Sequence, residues 1–368
     1  AGNDRLTDDQ GTNTLDGGDG NDNLTAQSLK GNHTLLGGSG RDNLNATGKT
    51  VTLDGGIDND SLNATGRSQR NGSEAYVDKG HATLDGGLGN DNLNVSYYST
   101  AELLGGSGDD NLRTEYSRDA KLFGEDGNDR LSTYINGYHS QHTDGNYKLN
   151  QSAHLDGGKG NDNIQADFYT NPSYGKTFIS AAGGTGDDTI RVSGSSRYGN
   201  TSLSVSGGSG QDNIDISDYR AGTNNGKNQH YGIKTVSVNA GADDDTIRIS
   251  GGLNTTITTG TGSDTIVLTA QQYFSQLEGD REERNNNWRV IGAISADPIT
   301  ITDFTPGKGG DILDYSDLLK NAAHQYGGEN PFSTGHIKLV QSGKDTLFQF
   351  DADGSSDDEQ AVTLAVLK

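Results

Sequence analysis

A short glycine-rich segment that ends in an aspartate recurs along the first three quarters of the chain, and this repeat constrains the fold most. Its clearest copy runs from Leu15 to Leu24 and reads L-D-G-G-D-G-N-D-N-L. Glycine allows the positive φ angles of a tight turn, which a residue with a Cβ atom resists. The leucine at each end indicates a short strand with a side chain in a core. We therefore expect a series of strand–turn–strand units.

The turn aspartate recurs with a shortest spacing of 18 residues, as between Asp4 and Asp22. An aliphatic residue follows each aspartate by two positions, and another precedes nearly every one by seven, with Ala181 as the exception. Such self-similarity is typical of a solenoid, in which each coil covers the apolar face of the next. The sequence predicts an all-β parallel β-roll or narrow β-helix with a thin core between two sheets. The turn aspartates are Asp4, Asp22, Asp42, Asp60, Asp91, Asp110, Asp129, Asp162, Asp188, Asp212, Asp245 and Asp264.

The composition favours a fold that depends on cations. The 368 residues carry a net charge of −23, and only 29% of them are hydrophobic. This balance is close to that of chains that do not fold unaided, and it disfavours nucleic acid and anionic lipid as partners. Cysteine is absent, so metal ligands must be oxygen or imidazole, which favours calcium over zinc. No apolar run reaches the roughly 20 residues that a membrane span needs.

The repeat resembles the nonapeptide of RTX proteins, G-G-x-G-x-D-x-U-x, over about residues 1–270. That family forms a parallel β-roll in which calcium binds between successive turns. In the family both edges of the roll carry the motif, whereas this chain shows one motif per coil of about 18 residues. We therefore expect one edge with calcium turns and an opposite edge with variable loops, where all the longer insertions fall.

The resemblance implies calcium ligands at the turn aspartates and at backbone carbonyls of the turn, with about ten ions in the row. Asp58 and Asp243 replace the third glycine of their turns, Glu125 the second, and Ala240 and Thr259 the first, so the calcium sites around these turns have the least support from the sequence. Beside the twelve turn aspartates, the implied ligand positions are Gly18, Gly20, Gly38, Gly40, Gly56, Asp58, Gly87, Gly89, Gly106, Gly108, Gly127, Gly158, Gly160, Gly184, Gly186, Gly208, Gly210, Asp243 and Gly262. Three further acids, Asp109, Asp187 and Asp244, are expected to face solvent.

Residues 271–368 lose the repeat and are expected to form a β-rich cap. Strands are predicted over Ile299–Phe304, His336–Val340, Thr346–Phe350 and Ala361–Leu367, and a short helix ends near Leu319. The segment from Gln271 to Asp297, with the single tryptophan Trp288, reads as an exposed loop or small cap.

A motif in this part resembles the C-terminal target domain of type I secreted adhesins. The pattern I-x-D-F-x-x-G-x-x-x-D-x-L-D-x-S-D-L-L matches Ile301 to Leu319, and the acidic loop Asp351 to Gly354 follows. The resemblance implies the type I secretion machinery as a partner and an extracellular location. The loop from Asp351 to Asp358 is acidic enough for another calcium ion, but it lacks the spacing of an EF-hand.

These observations predict a calcium-dependent folding and export module at the end of a secreted protein, most simply a large surface adhesin that is monomeric. Binding energy of the ions would become folding energy outside the cell, and folding would spread from the cap. The chain begins within a repeat and has no methionine, so we expect a longer protein. The alternatives are the C-terminal module of a secreted enzyme and a module that binds glycan or protein through tyrosine-rich loops.

Other activities find less support in the residues. The chain has no H-E-x-x-H, G-x-S-x-G or Walker motif, so we expect no enzyme, and His139 and His142 read as a solvated loop pair. Ice binding would need threonine at the third position of every turn, where Ile57, Leu88 and Lys159 stand instead. Tyrosines outside the motif either bind a partner or shield the thin core; they include Tyr97, Tyr98, Tyr134, Tyr138, Tyr169, Tyr174, Tyr198 and Tyr231.

Overall fold

The computed structural model shows an all-β protein that divides into two units, Ala1–Val192 and Ser193–Lys368. It describes the chain except for residues 67–68, 72–73, 77, 137–149, 171–174, 197–200, 219–221, 224–229, 232, 252–253, 271–279, 285–286, 292–297, 325 and 355–360. His139, His142, Tyr138, Tyr174 and Tyr198 lie outside the described residues.

The first unit consists of parallel strands in two sheets that alternate along the chain. The first sheet holds β1 (Arg5–Asp8), β3 (Asn23–Gln27), β5 (Asn43–Thr47), β7 (Ser61–Thr65), β11 (Asn92–Ser96), β13 (Asn111–Glu115), β15 (Arg130–Asn136), β17 (Asn163–Thr170) and β19 (Thr189–Ser196). The second holds β2 (Asn13–Asp19), β4 (Asn32–Ser39), β6 (Thr50–Ile57), β10 (Asp78–Leu88), β12 (Tyr98–Ser107), β14 (Asp119–Asp126), β16 (Gln151–Lys159) and β18 (Thr177–Thr185). One strand from each sheet makes a coil, so the predicted parallel solenoid is confirmed.

The core of this unit is formed by the two predicted aliphatic columns. In the first sheet Leu24 pairs with Leu44 and Leu93 with Leu112. In the second sheet Leu35 pairs with Leu53. These six side chains are completely buried. Because the columns keep the same register from coil to coil, each coil covers the apolar residues of its neighbour.

The two edges of the first unit differ in how the strands are connected. At the edge with the aspartates, here called the turn edge, three residues join each second-sheet strand to the next first-sheet strand, as residues 20–22 do. At the opposite edge, here called the loop edge, the connections vary, and the longest described one contains the hairpin β8 (Gln69–Asn71) and β9 (Glu74–Tyr76). The insertions therefore lie where the sequence predicted.

The second unit continues the same alternation and then changes to antiparallel pairing. One sheet holds β21 (Asn213–Asp218), β25 (Thr246–Ser250), β27 (Thr265–Leu268) and β31 (Ile312–Asp314). The other holds β20 (Thr201–Ser209), β24 (Ile233–Ala242), β26 (Thr255–Thr261), β30 (Ile299–Ile301), β34 (Val362–Leu367), β33 (Asp345–Phe350) and β32 (Ile337–Ser342) in that order. The strands β32, β33 and β34 match the strands predicted at the end of the chain, and the structure shows that they pair antiparallel. Helix α1 (Ser316–Asn321) is the predicted short helix.

Two features of this unit were not predicted. Strands β30 and β31 pair in parallel with β26 and β27, so they form one more coil after residue 270. The segment read as a loop contains an antiparallel hairpin, β28 (Asp280–Arg284) and β29 (Asn287–Ile291), and Trp288 lies in its second strand. A second small hairpin joins β22 (Gly222–Thr223) to β23 (His230–Tyr231). The domain boundary at residue 270 remains a prediction.

Candidate metal centre

The turn edge is built on glycines in conformations that other residues avoid. The second glycine of the turn has a positive φ angle, +105° at Gly106, and a Cβ atom there would lie 2.0 Å from the carbonyl oxygen of Gly87. Carbon and oxygen cannot approach so closely. At Gly106, glycine is therefore favoured both by its conformation and by the close approach of the preceding coil.

The turn aspartates form one continuous hydrogen-bonded column in each unit, here called the aspartate ladder. The backbone N–H of each aspartate donates to Oδ1 of the aspartate in the next coil. From Asp22 onward none of these side chains is more than 4% exposed, whereas Asp4 is exposed. The donor–acceptor pairs of the first unit are Asp4–Asp22 (2.6 Å), Asp22–Asp42, Asp42–Asp60, Asp60–Asp91, Asp91–Asp110, Asp129–Asp162 and Asp162–Asp188 (each 2.7 Å) and Asp110–Asp129 (2.8 Å).

The second carboxylate oxygen of these residues has a different environment. Within the described part of the chain, Oδ2 is buried without a hydrogen-bond partner at Asp22, Asp42, Asp60, Asp91, Asp110, Asp129, Asp162, Asp245 and Asp264. An unpaired buried carboxylate oxygen is costly. A row of such oxygens is therefore the observation that a cation would explain.

Backbone oxygen from the neighbouring coil approaches the same place. A Cβ atom on Gly105, the first glycine of its turn, would lie 2.5 Å from Oδ2 of Asp110 and 2.6 Å from the carbonyl oxygen of Gly124. Oxygens of two successive coils thus converge on one point, and the same holds at Gly37, Gly55 and Gly86. Calcium binds six to eight such oxygens, from carboxylates and carbonyls alike, so this donor set fits calcium. The described residues contain no group of three or more His, Asp and Glu side chains that could hold a metal alone.

The electrostatics of the ladder also favour a cation. Burial raises the pKa of Asp60, Asp110 and Asp129 to about 7, and the charges of neighbouring aspartates raise it further, although the N–H donor from the preceding coil lowers it. In the second unit burial raises the pKa of Asp245 to about 7 and that of Asp264 to about 6. A bound divalent cation would favour the charged carboxylates and displace their protons.

A second ladder, which the sequence reading missed, runs beside the first in the opposite direction. The residue before the turn aspartate accepts, through Oδ1, the backbone N–H of its counterpart in the next coil. Asn128 accepts from Asn161 (2.8 Å), and Asp109 accepts from Asn128 (2.8 Å). In the second unit Asp244 accepts from Ser263 (2.7 Å). Asp109 and Asp244 are exposed as expected, but they also join coils, and the recurring Asn-Asp pair was the signal for this role.

The turns with replaced glycines keep the geometry of the others. Asp58, Glu125 and Asp243 have positive φ angles of 77°, 76° and 79°, which are unusual for residues other than glycine. The ladder bond from Asp42 to Asp60 across the Asp58 turn is as short as its neighbours, at 2.7 Å. These replacements therefore leave the backbone path of the turn intact.

The last turn of the ladder lies at Asp311, which the sequence reading did not recognise. The N–H of Asp264 donates to Oδ1 of Asp311 (3.2 Å), and Leu313, two positions later, pairs with Ile266. Oδ2 of Asp311 accepts the N–H of Thr305 (2.7 Å), so both oxygens of this carboxylate are bonded. The signal was the segment Gly307 to Leu313, G-K-G-G-D-I-L, which repeats the end of the motif.

The acidic loop near the end of the chain forms a local ion pair. Asp351 is buried, and Nζ of Lys338 donates to its Oδ2 at 2.8 Å. Burial raises the pKa of Asp351, while the hydrogen bond from Lys338 lowers it. Since the lysine already supplies a positive charge, the geometry of the described residues favours this loop less as a calcium site than the turn edge.

The described tyrosines at the loop edge of the first unit pack on one another. The rings of Tyr97 and Tyr116 stack with centroids 4.9 Å apart, and Tyr134 meets Tyr116 edge-on at 5.6 Å. Tyr98 is completely buried, and its hydroxyl donates to the carbonyl of Gly48 at 3.1 Å. Tyr98 is a core residue rather than part of a binding face, and the stack at Tyr97 favours shielding of the core.

Comparison with known proteins agrees with the turn geometry. Residues 1–28 and 36–66 match the family model of the RTX calcium-binding nonapeptide repeat, in four copies. No curated protein matches the chain, and no solved structure does. These two segments thus carry repeats of the RTX calcium-binding type. The matched segments contain the turns at Asp4, Asp22, Asp42 and Asp60, and the same ladder geometry extends beyond them to Asp188. Among the described residues no helix is long and apolar enough to cross a membrane.

Proposed function

We propose that the chain is a calcium-dependent folding module in which ions bind between successive coils along the turn edge. The observation that carries this proposal is the row of buried Oδ2 atoms without partners, from Asp22 to Asp162 in the first unit. Each ion would take carboxylate oxygen and backbone carbonyl oxygen from two neighbouring coils. Its binding free energy would then stabilise the contact between those coils.

The net charge explains why the module would respond to calcium as a switch. The chain has a net charge of −23, so repulsion between its carboxylates opposes folding when calcium is absent. Extracellular calcium modules bind at roughly 0.1 to 1 mM, so the module would stay extended in a calcium-poor cytosol and fold outside the cell. Because coils contact mainly their neighbours, folding would be a cooperative process along the chain.

The experiment follows far-UV circular dichroism and bound calcium together, from chelator to about 10 mM calcium. The expected result is a cooperative gain of β-structure with several ions bound per chain. Magnesium at the same concentration is the control, and it should not induce the transition because it demands a smaller octahedral site and keeps its waters. Full β-structure in chelator, with no calcium bound later, would refute the proposal.

We further propose that the module belongs to the exported end of a secreted protein, most simply a surface adhesin. The support is the motif from Ile301 to Leu319, together with a net charge that keeps the calcium-free chain extended. The test measures export of the chain by cells that carry a type I secretion system. Removal of residues 299–368 should abolish export, whereas replacement of Asp110 by alanine should leave export intact and impair only folding outside.

A further inference from the structure

The outward face of the first sheet in the first unit has no acidic side chain in the two rows nearest the turn edge. These rows, here called the amide face, hold the residues one and three positions after each turn aspartate. They are Arg5, Thr7, Asn23, Thr25, Asn43, Asn45, Ser61, Asn63, Asn92, Asn94, Asn111, Arg113, Arg130, Ser132, Asn163, Gln165, Thr189 and Arg191. None of these residues is buried. In a chain with a net charge of −23, a face with four arginines and no acid needs an explanation.

The outward face of the second sheet in the same unit has the opposite charge. Two rows of outward side chains there lie six and eight positions before each turn aspartate, and they contain five acids and one lysine. The acids are Asp16, Asp54, Asp85, Glu102 and Asp156, and the lysine is Lys121. Both faces are built on the same repeat, so the fold itself does not demand this uneven distribution of charge.

The amide side chains of the amide face are in register and bond to one another. Asn45 pairs with Asn63, and Asn63 with Asn94, in successive strands. Nδ2 of Asn111 donates to Oδ1 of Asn92 at 2.9 Å, and Nδ2 of Asn94 donates to the same oxygen at 3.1 Å. Because an amide has two N–H donors and an oxygen with two lone pairs, these bonds leave capacity for a ligand. They also orient the side chains in advance, which lowers the entropic cost of binding.

The arginines lie at both ends of the amide face. Arg5 lies in β1, whereas the other three lie in β13, β15 and β19. Nε of Arg113 donates at 3.1 Å to Glu115, which lies with Asp167 in the next row towards the loop edge. Arg5 and Arg130 are exposed and have no ion pair within the described part of the chain. Such guanidinium groups can bind a carboxylate or sulfate group through two parallel hydrogen bonds.

The residue types of the amide face favour one kind of partner. The face has no aliphatic or aromatic side chain, so it lacks the anchors of a protein interface and the apolar contact that a membrane surface needs. Amide and hydroxyl side chains bind hydroxyl groups, and arginine binds anions. Its nine strands, from β1 to β19, repeat at about 4.8 Å and give a row of roughly 40 Å. A long polymer with hydroxyl and anionic groups fits this row.

We propose that the amide face binds an acidic polysaccharide. Hydroxyl groups of the polymer would contact the amide and hydroxyl side chains, and its carboxylate or sulfate groups would contact the arginines. The net charge of the chain does not prevent this, because each calcium ion at the turn edge would add two positive charges to the folded form. In this one respect the inference rests on the proposed function, and otherwise it needs only the fold.

The test measures binding of the full chain, in saturating calcium, to surfaces coated with heparin, hyaluronan or dextran. Heparin carries sulfate groups besides carboxylates, hyaluronan carries carboxylates alone, and dextran is neutral, so the three polymers separate the possible ligand groups. The expected result is binding to heparin or hyaluronan but not to dextran, and it should weaken as the salt concentration rises. Binding to neither acidic polymer, or equal binding to dextran, would overturn the inference.

Variants then show which face binds the polymer. Arg130→Gln should weaken binding at least threefold, and Arg5→Gln with Arg130→Gln at least tenfold. Asn63→Asp should also weaken binding, because it introduces an acid in the middle of the amide face. Lys121→Gln removes one positive charge from the opposite face, so this matched control should bind like the wild type. All four positions are exposed, and circular dichroism in calcium checks that each variant folds.

The outcomes separate the amide face from the turn edge. If the arginine variants bind as tightly as Lys121→Gln, the polymer is held elsewhere, as by calcium bridges at the turn edge, and the inference is overturned. Full β-structure in chelator with no calcium bound later would refute the proposed function instead. The amide face would then be tested with the same polymers in chelator, so the two failures are distinguished.

Discussion

The turn at Asp110 in the first unit and the turn at Asp311 in the second use the same ladder bond but differ in their second carboxylate oxygen. Asp110 accepts the N–H of Asp91 and leaves Oδ2 buried without a partner in the described structure. Asp311 accepts the N–H of Asp264 through one oxygen and that of Thr305 through the other. The first turn therefore leaves one carboxylate oxygen open to a cation, whereas the second bonds both of its oxygens to backbone N–H groups.

The reason for this difference is the length of the turn. In the first unit Leu103, of the core column, lies seven positions before Asp110, whereas its counterpart Ile301 lies ten before Asp311. The longer segment also contains Asp303, which accepts the N–H of Thr259 and the N–H of Gly260, each at 2.9 Å. The longer segment thereby supplies the N–H of Thr305 to the second oxygen of Asp311.

A change of pH should produce the largest effect and should act on the regular turns. Burial raises the pKa of Asp60, Asp110 and Asp129 from 3.8 to about 7. The calcium-free fold therefore binds more protons than the unfolded chain, and the contribution of these groups to its stability is full below about pH 3.8 and is lost as the pH rises through 7. In chelator, β-structure should increase from pH 8 to pH 5.

Protonation of the same carboxylates should oppose calcium binding. Protonated carboxylates must release their protons to bind the ion, so the calcium concentration at the folding midpoint should rise as the pH falls from 8 to 6. Circular dichroism at both pH values, with calcium varied, measures the midpoint. A midpoint that is independent of pH would show that the ladder carboxylates are not the ligands.

Replacement of Asp110 should give the next largest effect. Two variants, Asp110→Ala and Asp110→Asn, separate its proposed role as a ligand from its role as a hydrogen-bond acceptor. Asp110→Ala removes both the proposed calcium ligand and the acceptor for the N–H of Asp91, at a cost of about 1–3 kcal/mol for the unpaired donor. Asp110→Asn keeps an acceptor but loses the charge. In calcium Asn should be less stable than Asp, and in chelator the order should reverse because a neutral amide is easier to bury than a carboxylate. Urea unfolding in calcium measures the free energies there, and the residual β-structure by circular dichroism gives the order in chelator.

Asp311→Asn is the corresponding experiment at the turn whose carboxylate oxygens both accept backbone N–H groups. An amide has one acceptor oxygen, so either Asp264 or Thr305 loses its acceptor, and the loss should be about 1–3 kcal/mol. Urea unfolding at several calcium concentrations that keep the chain folded should give the same loss each time. A loss that grows with the calcium concentration would mean that Asp311 is itself a ligand, and the contrast between the two turns would disappear.

The smallest effect is expected for the second ladder. Asn128→Ala removes the acceptor for the N–H of Asn161, but water can replace it because Asn128 is exposed. We expect a loss of about 0.5 kcal/mol, with the calcium midpoint unchanged within error. A large shift of that midpoint would instead connect the second ladder to ion binding.

Much of the fold could be predicted because glycines and aliphatic columns are local signals with a fixed spacing. Leu24 and Leu35 lie in the predicted columns and are completely buried. The turn at Asp311 was missed because the distance to its core residue changed by three positions. The opposite directions of the two ladders could not be predicted, since they depend on which backbone N–H faces each carboxylate, and this follows only from the folded turn.

The constant three-residue connection at the turn edge has a consequence for how such a protein changes over generations. Because Gly87 pairs with Gly106 and Leu93 with Leu112 in the same register, the segment between two equivalent positions can be copied or lost as a whole. Recombination between similar stretches of the gene would then lengthen or shorten the protein by complete coils, and each new junction would be the same as an old one. The number of coils could therefore differ between descendants without compensating substitutions in the core.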